Sequence, residues 1–434
     1  MWFRVFVAGW SVVFFALLGW LATHQSSEPT ILGRYSPGYF TLLIGLAALL
    51  TLSLLAQRPS LYRRLQLVRW EIVLTFSSIL ISLIMVEIAI RVLDPLGVSY
   101  FEEASTYHLD KVSDPILVYK HAPHLRRTYQ GVGVFINELG FRDLKLERKR
   151  DDELRILLLG DSVTFGWGVP IEATFGRKLE STLTSKLGRP VRTVNTGTGS
   201  YNTVQELAVL RTYADVIEPN LVVLLYVNND IEPNDPPFDP WSQVSLQGKS
   251  PPTAVSILLW KSWLYRLGHF AFQYSQRNGP ASLDKKARGV TESMDALAAI
   301  ATFCRERGMN FVTFVYRSKR EMLEGFSSAL LAEIRTIGQN YSFPVVDVGP
   351  WWNGVDMRSV TNSTIDSHLN NRGHEILAAG IADFLMKHDL VDKIAPISRK
   401  PLETTESVRA AASTIPVLTG ERERTTIFRH LDRR

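Results

Sequence analysis

Arg155-Ile-Leu-Leu-Leu-Gly-Asp-Ser-Val-Thr-Phe-Gly-Trp-Gly-Val169 has the pattern of a strand, a sharp turn and the start of a helix. Ile156 to Leu159 form a short continuous apolar run, the pattern of a strand buried on both faces, and Gly160-Asp161 break it. Ser162 then stands at the carboxyl end of that strand and near the start of a helix, where free backbone N–H groups favour negative charge. A serine so placed is a nucleophile if a base reaches its hydroxyl and donors face the developing oxyanion. Gly-Asp-Ser by itself is also what any tight turn prefers, so the rest of the chain has to carry the reading.

Downstream of Leu154, short apolar runs alternate with longer amphipathic ones. The pattern predicts strands at 155–159, 191–195, 221–227, 310–316 and 344–348, and helices near 173–187, 203–217, 287–307, 321–339 and 371–387. Five such βα units indicate a parallel sheet with helices on both faces, whose ligands bind at the carboxyl ends of the strands. An irregular insertion, 231–286, interrupts the alternation with Pro233, Pro236, Pro237, Pro240, Pro251 and Pro252 and the aromatic stretch around Trp260 and Trp263. Such an insertion serves as a lid, a flap or a partner surface, or else packs as a satellite through its tryptophans.

Upstream, Val5–Ala22, Gly38–Ala56 and Ile72–Val86 are nearly uncharged and read as three transmembrane helices, spanning about 4–22, 38–56 and 72–93. Arg58, Arg63, Arg64 and Arg69 crowd the segment between the second and third runs, so that segment is expected in the cytoplasm with the N-terminus. The large domain is then extracytoplasmic, behind an inner (cytoplasmic) membrane. Glu87 and Arg91, one helical turn apart, read as a pair reaching for the interface. The expected organisation is a membrane region 1–94, a polar connector 95–150, a catalytic domain 151–392 carrying the insertion, and a disordered basic tail 393–434.

Composition narrows the function classes. The lone Cys304 excludes an intrachain disulfide and a cysteine-based metal cluster. The formal charge of +5 is modest, and the basic segments lack the aromatic interleaving of a nucleic-acid surface, so no nucleic-acid partner is expected.

The longer string Gly160-Asp161-Ser162-Val-Thr-Phe-Gly166-Trp-Gly168-Val169 resembles the first signature block of the SGNH (GDSL-type) hydrolases and acyltransferases. It is not a Gly-x-Ser-x-Gly elbow, since Thr164 stands where that motif needs glycine. Asn137-Glu-Leu-Gly140-Phe141-Arg142 resembles a lead-in segment of membrane-anchored members. Asn195-Thr-Gly197-Thr-Gly-Ser-Tyr-Asn-Thr203 resembles the second block, with Ser200 where the family's later glycine stands. Leu221-Val-Val-Leu-Leu-Tyr-Val-Asn-Asn-Asp230 resembles the third, and Thr364-Ile-Asp366-Ser-His368 the last, in the shorter Asp-x-His spacing.

The resemblance implies a three-layer α/β/α, flavodoxin-like fold with Ser162 as nucleophile, His368 as base and Asp366 orienting the imidazole. A backbone carbonyl is the alternative for that last role. It further implies an oxyanion hole of the Ser162 N–H, the Gly197 N–H and the Asn229 side chain, with Asn228 the competitor for Asn229. No cofactor is implied. A metal reading of Asp366, His368, His374 and Glu375 lacks the helical His-Glu-x-x-His spacing, so no metal is expected and His374 reads as a capping or packing residue.

The function expected is therefore a membrane-anchored serine esterase cleaving an acyl or acetyl ester, its substrate an acylated glycan or lipid. Two alternatives stay open: an O-acyltransferase acting on an envelope glycan, and a non-catalytic protein of envelope polysaccharide machinery.

Overall fold

The N-terminal apolar runs are helices α1 (Trp2–Ala22), α2 (Pro37–Leu55) and α4 (Arg69–Leu93) in the computed structural model, which describes residues 2–23, 31–32, 34–35, 37–94, 97–232, 261–268, 280–316 and 328–391. The arginine-rich segment expected as a plain loop is instead a nine-residue helix, α3 (Pro59–Leu67), entered through Pro59 in its first turn. Among the described residues, two helices are long and apolar enough to cross a membrane, Phe3–Ala22 and Arg69–Leu93. The number is three if Phe40–Leu55 and Pro59–Leu67, bent by 90° against each other, make one span. Within the apolar helices the few polar groups turn to one another, as groups deprived of water must. Ser11 Oγ donates to Ser53 Oγ at 2.9 Å and receives the Gln57 amide at 2.8 Å.

Residues Met1–Lys120 and Asp235–Asp284 form one compact unit, and His121–Asn234 with Lys285–Arg434 a second. In the first unit the Glu87–Arg91 pair forms, at 2.8 Å, and does more than its spacing suggests. The Glu87 carboxylate accepts the Trp263 and Leu264 N–H groups, both at 2.9 Å, and the Ser262 hydroxyl at 3.0 Å, capping a short helix over 263–268. The Arg91 guanidinium lies 5.7 Å from the Trp263 ring centroid. Segment 261–268 of the insertion is thereby tied to the end of α4. The proline-rich remainder, Trp260 and the tail 393–434 lie outside the described residues. The stretch 95–150, read as a polar connector, carries helix α5 (Val98–Leu109) and four short strands, β1 (Lys111–Asp114), β2 (Val118–His121), β3 (Arg126–Tyr129) and β4 (Val132–Phe135). Strands β3 and β4 pair antiparallel around Gln130 and Gly131, both left-handed at φ 51° and 68°, the geometry that matches hairpin twist.

The second unit holds the βα alternation: β5 (Leu154–Leu159), α6 (Ser162–Phe165), α7 (Phe175–Leu187), β6 (Val191–Asn195), α8 (Thr203–Ile217), β7 (Leu221–Tyr226), α9 (Pro280–Glu306), β8 (Asn310–Val315), α10 (Ser328–Tyr341), β9 (Val345–Asp347) and α11 (Asn371–Lys387). All five expected strands are present and all are parallel, in the order β6-β5-β7-β8-β9. That is the flavodoxin-like order, and its direction of growth reverses at β5. The crevice opened by that reversal lies at the carboxyl ends of β5, β6 and β7, where the first three motif blocks begin. Helix α9 starts earlier than its apolar periodicity suggested, and the first part of the helix expected from 321 lies outside the described residues.

Leu154, Ile156 and Leu158 of β5, with Val223 of β7 and Phe314 of β8, pack against Phe175, Leu179 and Leu183 of α7 and Leu377, Ile381 and Leu385 of α11. Alternate strand residues point to the opposite face. The result is a rigid platform that leaves only its strand ends free to carry chemistry.

Candidate active site

Gly160 ends β5 at φ +153°, and a Cβ there would stand 2.1 Å from Thr164 Oγ1, so only glycine lets the chain turn sharply into α6. Asp161 caps that helix. Its Oδ1 accepts the Val163 N–H at 2.8 Å, and its Oδ2 lies 3.0 Å from both Ser162 Oγ and Asn229 Nδ2. Ser162 is the first residue of α6, and its N–H donates to no described group.

The loop before α11 brings His368 to Ser162. His368 Nε2 lies 2.8 Å from Ser162 Oγ, and His368 Nδ1 lies 2.5 Å from Asp366 Oδ1. In the tautomer with hydrogen on Nδ1, that N–H donates a hydrogen bond to the buried Asp366 carboxylate and the Nε2 lone pair faces the hydroxyl. The Asp-x-His spacing suffices because Asp366 Oδ1 also accepts the His368 N–H at 3.1 Å, folding the three residues into one tight turn. Asn362 locks the turn from behind: its Nδ2 donates to Asp366 Oδ2 at 2.9 Å and to the Trp167 carbonyl at 3.1 Å. No motif marks Asn362 in the sequence.

Among the oxyanion candidates, Ser162 and Asn229 are brought to one cavity and Gly197 is not. One Asn229 amide hydrogen is held by Asp161, which leaves the other for a ligand. Asn228, the competitor, is exposed at the same cavity. Gly197 is buried and donates its N–H to Asn195 Oδ1 at 2.9 Å. The reason for glycine is steric, since a Cβ at 197 would meet Phe165 N at 2.4 Å and the Thr164 carbonyl carbon at 2.6 Å. The second block thus presses against the back of α6 and holds it, with Asn195 Nδ2 donating to the Thr164 carbonyl at 2.7 Å. Ser200 adopts φ +65°, a left-handed conformation that suits the glycine it replaces.

The lead-in segment braces the turn that follows α6. Arg142, 1% exposed, donates to the carbonyls of Phe165 at 3.1 Å, Gly166 at 2.5 Å and Val169 at 2.7 Å, with its guanidinium 5.1 Å from the Phe165 ring centroid. Asp143 accepts the Asn195 N–H at 2.8 Å and pairs with Arg192 at 2.9 Å. Two adjacent side chains therefore join the first and second blocks. His374 faces the interior of α11 and accepts the Phe175 N–H through Nδ1 at 3.2 Å, capping α7; burial first, then neighbouring cations, push its pKa down to about 3.

Asp161, Ser162, Val163, Val227, Asn228, Asn229, Glu232, Tyr316, Ser367 and His368 line a cavity of 180 Å³. A larger cavity, 470 Å³ between α10 and β9, shares none of these residues, and its one hydroxyl, Ser342, has no histidine in the lining beside it.

The comparisons with known proteins fall on the same segment. Among curated proteins none matches the chain. The solved structures it resembles include a two-domain esterase active on acetylated mannans, at 16% identity over 58% of this chain and 53% of that one, with a TM-score of 0.36. This chain thus spans about half the length of that esterase. Others are an acetyl xylan esterase, at 12% identity over 54% of this chain and 100% of that one with TM-score 0.36, and the lipase/acylhydrolase from Enterococcus faecalis, at 13% over 57% and 100% with TM-score 0.33. The profile of the GDSL-like Lipase/Acylhydrolase family matches residues 158–376, half of the chain, from the strand that presents Ser162 to the first turns of α11 beyond His368. That span places the protein in the GDSL-like lipase/acylhydrolase family, as a hydrolase of ester bonds.

Proposed function

We propose that the protein is a membrane-anchored serine esterase that removes short acyl groups, acetyl foremost, from a polar alcohol outside the cytoplasm. The observation that carries this reading is the chain of contacts from Ser162 Oγ through His368 to Asp366, at 2.8 and 2.5 Å. Ser162 Oγ attacks the acyl carbonyl while His368 Nε2 takes its proton, and Asp366 stabilises the imidazolium that forms. The Ser162 N–H and the free hydrogen of Asn229 Nδ2 hold the oxyanion. Collapse expels the alcohol, which takes the proton back from His368, and leaves an ester on Ser162. Water, deprotonated by the same nitrogen, then releases the acid and restores the serine.

The acyl size follows from the cavity. At 180 Å³ it falls below the roughly 300–1,000 Å³ of sites that enclose drug-sized ligands, and only Val163 and Val227 line it with aliphatic side chains. A short acyl group fits that space, and Glu232, Asn228 and Ser367 offer polar partners to a hydroxylated leaving group. Anchoring rests on the two or three apolar helices, and orientation on Arg58, Arg63, Arg64 and Arg69, which keep α3 and its flanks in the cytoplasm and send the chain outward through α4.

The test is labelling with a membrane-impermeant fluorophosphonate on sealed right-side-out vesicles, followed by acetyl, butyryl and octanoyl p-nitrophenyl esters on solubilised protein. Expected are labelling before detergent is added and kcat/KM falling as the acyl chain lengthens. Labelling only after solubilisation would reverse the orientation, and no labelling in a folded protein would overturn the serine mechanism. Asn229→Ala is expected to lower kcat by about 10²–10³-fold with little change in KM, the loss typical of one oxyanion donor. An unchanged kcat would move that role to Asn228.

A further inference from the structure

Helix α8 buries one face against the sheet, and Glu206 lies on that face with the apolar Leu207, Leu210 and Ala214. It is 1% exposed, and no N–H or hydroxyl of the described residues donates to either of its carboxyl oxygens. The group set against it is a second buried carboxyl, Asp230, also 1% exposed and next in sequence to Asn229. Asp230 is well furnished: it accepts the Val227 N–H at 2.5 Å and the Thr203 hydroxyl at 2.9 Å. Ser293 Oγ on α9 joins Thr203 Oγ1, at 2.9 Å, to the Tyr226 hydroxyl, at 2.8 Å.

Two carboxyl groups in contact, dry and with no lysine or arginine paired to either among the described residues, cannot both be ionised. One proton must lie between them. Glu206, lacking any donor, is the member that keeps it and donates to Asp230. Burial first, then the negative charges of Asp230 and Asp161, push Glu206 well above the usual carboxyl range, and burial pushes Asp230 up to about 7. The other titratable groups turned toward the pair are Asp161 on α6 and Tyr226 on β7, the latter also under the field of Glu333 on α10; none supplies positive charge.

The mechanical link to the site is short. Asp230 closes the turn 228–231 on the Val227 N–H, and Asn229, one of the two residues between them in the chain, reaches Asp161 Oδ2 beside the Ser162 hydroxyl. We propose that Glu206 is a positioning residue: as a neutral acid bonded to Asp230 it holds the 228–231 turn and the Asn229 amide in place, and loss of the shared proton sets the alkaline limit of ester hydrolysis. With both groups ionised, three carboxylates crowd one buried volume and the turn opens. The inference rests on the serine-esterase reading given above.

The experiment compares wild type, Glu206→Gln and Glu206→Ala. Each is followed as kcat/KM for an aryl acetate from pH 6 to 10, together with the melting temperature at pH 5 and pH 9. Glutamine fills the same volume, still donates to Asp230 and has no proton to lose. It is expected to match wild type within about threefold at pH 7 and to lack the alkaline fall, which in wild type approaches tenfold per pH unit for loss of one proton. Alanine leaves Asp230 without its donor and is expected to lower kcat, with KM unchanged, at every pH.

The stability arm has a definite sign. A carboxyl whose pKa is higher folded than unfolded binds more protons in the native state, so stability is undiminished below the unfolded value and is lost as pH rises toward the folded one. Removing Glu206's ionisation should therefore raise the melting temperature of the glutamine variant over wild type by at least about 3 °C more at pH 9 than at pH 5. Superimposable alkaline limbs, a pH-independent difference in melting temperature, or failure of the glutamine variant to fold would each overturn the proposal. Absence of any turnover by the wild type would instead count against the esterase reading, and the melting temperatures would still decide the state of the pair.

Discussion

Replacing Ser162 with alanine is expected to lower kcat by about 10⁴-fold or more and to abolish fluorophosphonate labelling, with the melting temperature within about 2 °C of wild type. The size follows from the role: without Oγ no acyl-enzyme forms, and what remains is whatever the oxyanion donors achieve with water. The fold tolerates the change because, among the described residues, Ser162 Oγ is within hydrogen-bond distance of only His368 Nε2 and Asp161 Oδ2, while Asp161 keeps the Val163 N–H and the Asn229 amide as donors. A Ser162→Ala variant that retains a tenth of wild-type turnover would show that another group attacks the ester. Burst kinetics with p-nitrophenyl acetate give the complementary measurement: a burst in wild type and none in the variant.

Replacing Arg142 with alanine is expected to destabilise the second unit by about 3–5 kcal/mol in urea unfolding and to take activity with it. The guanidinium is the donor to three carbonyls just after α6, on residues that are all buried and so have little access to water. Alanine takes that donor from all three, leaving the Gly166 carbonyl only the Val169 N–H at 3.3 Å, and removes the planar group beside Phe165. Lysine keeps the charge but not the fork, so Arg142→Lys should recover only part of the loss. A destabilisation below 1 kcal/mol in the alanine variant would mean that the Gly166-Trp-Gly-Val169 turn holds its own shape, and Arg142 would lose its place as a brace.

The relation between the two residues shows why one was legible and the other was not. The place of Ser162 at the end of β5 is legible because it is a local property: an apolar run, a glycine and a helix start, all within eight residues. Arg142 acts twenty-three to twenty-seven residues along the chain, through carbonyls that every residue possesses, and no residue type records that contact. Asn362 behind Asp366 and Glu206 beside Asp230 are hidden for the same reason.

Helices 203–217 and 371–387 were located to the residue because Asn202 and Asn370 cap them through their own side chains. The strands of the sheet were found because burial on both faces demands continuous apolar runs. By contrast β1 to β4, four residues each and half exposed, carry too little periodicity to be seen, and α3 was hidden among charges that read as a loop.

The βα alternation and the membrane-length apolar runs are legible in the amino-acid sequence because each depends on a pattern within a few residues, and motifs single out Ser162, Asp366 and His368 as candidates. The tertiary structure decided which groups face the cavity. It turned the Gly197 N–H toward Asn195 instead, because the space behind α6 admits only a glycine packed edge-on. It also set Glu206 against Asp230, because the direction of a side chain depends on how α8 rolls against the sheet, and that roll is chosen by the whole core at once.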